Sequence, residues 1–150
     1  PPLTGYLIKE FMLGNTPILH STGDQQRDYV YIDDLLEICK ISLTHKNAPG
    51  NIFNVCSGNT LSVKDIVKEI SIYFDNPKTP IYREASKFWE KYPNLFKGKY
   101  PLSIKRLEKE VNKFSLGCKN KSKNILQWSS KISPKEGFKT TVEYAKQLGL

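Results

Sequence analysis

One stretch constrains the fold of this chain more than any other: Gly23-Asp24-Gln25-Gln26-Arg27-Asp28-Tyr29-Val30-Tyr31-Ile32-Asp33-Asp34-Leu35. A polar turn carrying one arginine runs into a strongly β-forming apolar run. Paired aspartates then open a helix. Turn, strand and helix in immediate succession predict an α/β chain. Arg27 is notable because the sequence has three arginines (Arg27, Arg83 and Arg106) among twenty-three basic residues. A planar guanidinium grips a phosphate through two parallel hydrogen bonds, which an ammonium does not do.

The flanking sequence extends the pattern. Thr4 is placed to cap a helix whose apolar face is Leu7, Ile8, Phe11 and Met12, with Gly14 as its stop. Short strands are expected at 18–20, 29–32 and 52–55. Asp33 or Asp34 starts a helix with Leu35, Leu36, Ile38, Cys39 and Leu43 on a broad apolar face, and Glu37 completes a capping box with Asp34. Ser62 caps a helix carrying Val63, Ile66, Val67 and Ile70 on one side. Asn120 caps a short helix through Leu126. Ser133-Pro134-Lys135-Glu136 opens the last helix, whose stripe is Phe138, Val142, Ala145 and Leu148. Between Thr79 and Arg106 the periodicity is poor: Phe88, Trp89, Tyr92, Leu95, Phe96 and Tyr100 alternate irregularly with lysines and prolines. A lid, a partner surface and a satellite core all fit that stretch.

A length of 150 residues with 39% hydrophobic content suits one domain with its own core. No apolar run reaches the roughly 20 residues that span a bilayer. Cys39, Cys56 and Cys118 have no metal-site spacing, and His20 and His45 stand alone, so reduced thiols in a cytoplasmic protein are expected. The net charge of +8 is spread along the chain without a nucleic-acid motif. It favours the arrival of any anionic ligand rather than a specific duplex contact.

Gln25-Gln26-Arg27-Asp28 in the central stretch resembles the Q-x-R-D part of the G-x-x-Q-x-R-D pattern of the NAD-dependent epimerase/dehydratase family, the extended short-chain dehydrogenase/reductases that act on nucleotide-sugars. Gly50-Asn51-Ile52-Phe53-Asn54-Val55-Cys56-Ser57-Gly58 resembles that family's G-x-x-(Y/F)-N-V-x-S-G strand and turn. Leu61-Ser62-Val63-Lys64-Asp65-Ile66 resembles the helix start that follows. Ser122-Lys123 with Leu126-Gln127-Trp128 resembles its S-K-A and L-G-W element, with Gln127 where the family has glycine. The resemblance implies an α/β fold, the small mixed substrate-binding lobe that follows a Rossmann domain.

Two motifs of that family do not occur in the sequence: the glycine-rich dinucleotide turn and a Tyr-x-x-x-Lys pair. The expectation is therefore a single C-terminal portion over residues 1–150, with the NAD-binding portion outside the sequence. NAD is expected on that other portion and not on this chain, which alone would turn nothing over. By resemblance, Arg27 contacts the diphosphate of a nucleotide-sugar. Gln25 orients Arg27, meets the ligand or only shapes the turn. Leu19 and His20 lie where the nucleotide base runs. Arg106 is the first candidate for a second phosphate-binding arginine, and Arg83 is the reserve. Asp28 is expected to hold local backbone. The resemblance also implies a homodimer when complete. The competing reading is a non-catalytic interaction module that docks through the aromatic and lysine segment 88–100.

Overall fold

The computed structural model describes residues 2–149. Helix α1 (Leu3–Met12) buries Leu7, Ile8 and Phe11 as its periodicity requires, but Pro2 rather than Thr4 occupies its N-cap. Strand β1 (Ile18–Leu19) follows, then β2 (Gln26–Asp28), α2 (Ile32–Thr44) and β3 (Thr60–Ser62). Helix α3 (Val63–Ser71) starts at a full capping box between Ser62 and Asp65. Strand β4 (Ile81–Tyr82), α4 (Ala85–Trp89), a 3₁₀ turn (Pro93–Phe96), α5 (Ile104–Val111) and β5 (Phe114–Ser115) come next. Helices α6 (Asn120–Leu126) and α7 (Pro134–Leu148) complete the order, and α7 begins at the expected Ser133 cap.

The strands make two small sheets. Parallel β1 and β4 form one, and β2 lies between antiparallel β3 and parallel β5 in the other. The main core is shared by α1, α3 and α7, through Leu7, Ile66, Ile70, Phe138 and Val142. A second cluster joins Ile38 of α2 to Leu126 and Trp128. The architecture is the mixed α/β lobe that the sequence implies.

Local differences from the sequence reading have identifiable causes. The strand expected at 29–32 forms three residues earlier, over Gln26–Asp28, where β3 and β5 supply partners on both sides. Residues 52–55 form no strand. Among the described backbone bonds, none is donated by residues 52–56. A β-forming run without a neighbouring edge has nothing to pair with, whatever its propensity. Asp34 does not cap α2; it is buried and accepts N–H bonds from Lys131 (3.0 Å) and Ile132 (3.1 Å). Glu37 forms no capping box. It accepts from the Trp128 indole N–H at 3.1 Å and pairs with Lys131. Asn120 lies inside α6, with Lys119 at its N-cap. Cys39 is exposed, because the outer apolar side of α2 is uncovered: Leu36 is 50% and Leu43 86% exposed.

Candidate functional site

The parallel pairing of β1 with β4 sets the site. Ile81 N donates to Pro17 O at 2.9 Å and Arg83 N to Leu19 O at 2.8 Å. This register carries His20 and Arg83 out together past the strand ends. Leu19 is buried beneath them in the core. The chain then enters α4, and Phe88 meets the His20 ring at a centroid distance of 5.1 Å. A cavity of about 460 Å³ opens there, lined by Tyr6, Ile18, His20, Arg83, Lys87, Phe88 and Lys91. Tyr6 fixes its inner wall by accepting from Ile18 N at 2.9 Å. Lys87 pairs with Glu90 at 3.2 Å, and Lys91 lies over the Phe88 ring at 5.8 Å. The Nδ1 atom of His20 is buried without a protein partner. An aromatic wall and three cations therefore converge on one space, which suits a flat ring attached to an anion.

A second cavity of about 450 Å³ shares Arg83 and is walled by Ser21, Thr22, Tyr82, Glu84, Leu107 and Glu108, among others. Gly23 is required where the turn approaches β4. Its φ is +82°, and a Cβ there would stand 2.6 Å from the Tyr82 ring. Burial raises the Tyr82 phenol pKa, so that hydroxyl stays protonated near neutrality.

Arg27 lies elsewhere, in the middle of β2 opposite Leu61 and Ser115. Its Nη1 donates to Gln26 O at 2.9 Å and to Lys113 O, and its Nη2 donates to Glu110 O at 2.9 Å. The guanidinium thus closes the carboxyl end of α5, where backbone carbonyls lack helical partners. Arg27 lines neither cavity. Gln25 donates from Nε2 to Ser21 Oγ at 2.8 Å, while its Oε1 is buried and unpartnered. Arg106 is exposed on α5, lines neither cavity, and sits one turn before Glu110. The structure therefore gathers His20, Leu19 and Arg83 at one place, links Gln25 to the second cavity through Ser21, and leaves Arg27 and Arg106 apart.

Lys87, Phe88, Lys91 and Tyr6 are absent from the sequence-based candidates. The sequence signal for the first three is the interleaving of lysine and aromatic residues, with 87/91 and 88/91 at helix-neighbour spacing.

Asp28 holds the backbone as expected. It accepts from Ser57 N (2.7 Å), Ser57 Oγ (2.6 Å), Gly58 N (2.9 Å) and Gly117 N (3.2 Å). Burial pushes its pKa up, but these donors outweigh burial and hold the carboxyl below its ordinary value.

The family model of the NAD dependent epimerase/dehydratase family matches residues 3–56. Human dTDP-D-glucose 4,6-dehydratase is 24% identical over 129 residues, which are 86% of this chain and 32% of that protein. An Arabidopsis thaliana trifunctional UDP-glucose 4,6-dehydratase/epimerase/reductase is 27% identical over 94% of this chain and 18% of its own length. The chain thus spans about a third or less of these relatives. Among solved structures, UDP-glucose 4-epimerase from Thermotoga maritima superposes with a TM-score of 0.75 at 22% identity, over 99% of this chain and 40% of that one. A Methanothermobacter thermautotrophicus epimerase gives 0.78 at 16% identity, over 98% and 38%. The fold is that of these two epimerases over part of their length.

Proposed function

We propose that this chain is the substrate-binding portion of an NAD-dependent nucleotide-sugar epimerase or 4,6-dehydratase, and that it grips the diphosphate of a nucleotide-sugar. Relatives whose names specify UDP- and dTDP-sugars support the substrate class. The observation that carries the reading is the meeting of His20, Phe88, Arg83, Lys87 and Lys91 around one cavity of about 460 Å³. In this reading the base lies against the His20 and Phe88 rings. The phosphates face Arg83, Lys87 and Lys91. Arg27, the contact implied by family resemblance, has three of its five N–H groups on backbone carbonyls, which leaves two for a phosphate oxygen.

The residues of this chain do not fit NAD, since the sequence offers neither the glycine-rich turn nor the Tyr-x-x-x-Lys pair. No hydride or proton step is assigned to them. We place NAD on a separate Rossmann portion that packs over α2 and residues 52–55. Exposed Ile32, Leu35, Leu36, Leu43, Ile52 and Val55 support that placement, as do the N–H groups of 52–56, which donate no backbone bond among the described residues. The isolated chain then binds nucleotide weakly and catalyses nothing. The complete enzyme would be a cytoplasmic homodimer; no described helix is long and apolar enough to cross a membrane.

Calorimetric titration with uridine and thymidine diphosphates tests this reading. Arg83→Ala should weaken binding at least tenfold, because a charge-assisted hydrogen bond is worth roughly 1.5–3 kcal/mol. A comparable loss in Arg27→Ala alone would move the diphosphate to β2. Unchanged affinity in both variants would refute the diphosphate grip and favour a docking role for segment 88–100, whose Tyr100 is 86% exposed.

A further inference from the structure

Two of the three cysteines lie on segments that run side by side. Residues 54–58 and 117–122 are tied by Asn54 Nδ2 donating to Cys118 O (3.3 Å), Lys119 Nζ to Ser57 O (2.7 Å) and Ser122 Oγ to Asn54 O (2.6 Å). Between these ties, Cys56 faces Gly117. A Cβ on Gly117 would stand 2.7 Å from Cys56 Sγ, so the missing side chain is what admits the thiol. Cys118 is the next residue, one Cα step of about 3.8 Å away. Cys56 is buried, Cys118 is exposed, and both are free thiols.

We propose that Cys56 and Cys118 form a peroxide-responsive pair, in which exposed Cys118 reacts first and buried Cys56 closes the disulfide. The thiolate of Cys118 attacks a hydroperoxide oxygen. An S–O bond forms, the O–O bond breaks, and the leaving hydroxide takes a proton to become water. Cys56 Sγ then gives up its proton and attacks the sulfenic sulfur. The S–S bond forms, the S–O bond breaks, and a second water leaves. Two thiols lose two electrons in all, and the peroxide gains them.

The groups facing Cys56 set the second step. Burial, the Asp28 carboxylate on β2 and the neighbouring Cys118 raise the Cys56 thiol pKa, and Lys119 opposes them. Closure should therefore quicken as pH rises. The structural consequence reaches Arg27. Cys118 follows β5, which pairs with β2 at Arg27 and Ser115, so the disulfide pins the strand beside that guanidinium.

The test treats the full chain with hydrogen peroxide, alkylates free thiols and maps the peptides. Titratable thiols should fall from three to one, with a Cys56–Cys118 peptide two hydrogens lighter than its parts and restored by dithiothreitol. Cys39→Ser should form the same link. Cys56→Ser should stop at a sulfenic acid on Cys118, trapped by dimedone. Three thiols left intact, a link that includes Cys39, links only between molecules, or sulfinic acid on Cys118 without a link in wild type would each overturn the proposal.

Discussion

Replacing Asp28 with asparagine isolates the most heavily used carboxylate in the structure. Four donors converge on it from two segments, 57–58 and 117. An amide keeps one acceptor oxygen and turns the other position into a donor that faces N–H groups. With the amide nitrogen toward Gly58 and Gly117, Ser57 keeps its acceptor and those two backbone donors lose theirs, at roughly 1–3 kcal/mol each when buried. Partial exposure at this site places the expected loss near 3 kcal/mol rather than at the upper end. For a domain of this size that lowers the thermal midpoint by about 6–12 °C. Urea unfolding at neutral pH, read by circular dichroism, measures it. The pH dependence gives a second readout. The folded-state pKa of Asp28 is depressed, so its contribution is present above the ordinary carboxylate pKa and is lost as pH falls through the folded value. Asp28→Asn should remove that portion of the acid sensitivity. A loss below about 1 kcal/mol, or an unchanged acid limb, would refute the assignment of Asp28 as the tie between these segments.

Other perturbations follow from particular contacts. Gln127 adopts a left-handed conformation at the end of α6, with φ of 53°. Gln127→Gly should raise stability by about 1 kcal/mol in the same urea assay. Gly23→Ala should destabilise by about 2 kcal/mol and weaken nucleotide binding, since its Cβ would strike the Tyr82 ring beside Arg83. Phe88→Ala should weaken nucleotide binding while leaving the unfolding midpoint nearly unchanged, because α4 buries no residue in the core. Paired Leu43→Glu and Ile52→Lys substitutions should reduce self-association of the isolated chain in sedimentation, because both apolar side chains are 86% exposed.

Helices with a capping signal and a clean apolar stripe were legible in the sequence. The Ser62 and Ser133 starts and the buried residues of α1, α3 and α7 match their patterns, since each is set within a few residues, except that Leu148 at the end of the α7 stripe is 53% exposed. Strands were less legible because pairing decides them. Residues 52–55 have the composition of a strand and no neighbour, whereas Gln26–Asp28 is polar and is paired on both sides. The site divides in the same way. His20, Leu19 and Arg83 were named from the sequence, but their meeting depends on the β1 and β4 register, which joins residues more than sixty positions apart. Lys87, Phe88 and Lys91 escaped because their segment has no clear period. The carbonyls that hold Arg27 belong to Glu110 and Lys113, a contact that no local pattern announces.

Nuclear magnetic resonance of the chain titrated with uridine diphosphate tests the central claim most directly. Shift changes should gather on residues 18–20 and 83–91, with the His20 and Phe88 ring signals moving together and saturating at one ligand. Changes confined to the neighbourhood of Arg27, Glu110 and Lys113, or none up to saturating nucleotide, would contradict it.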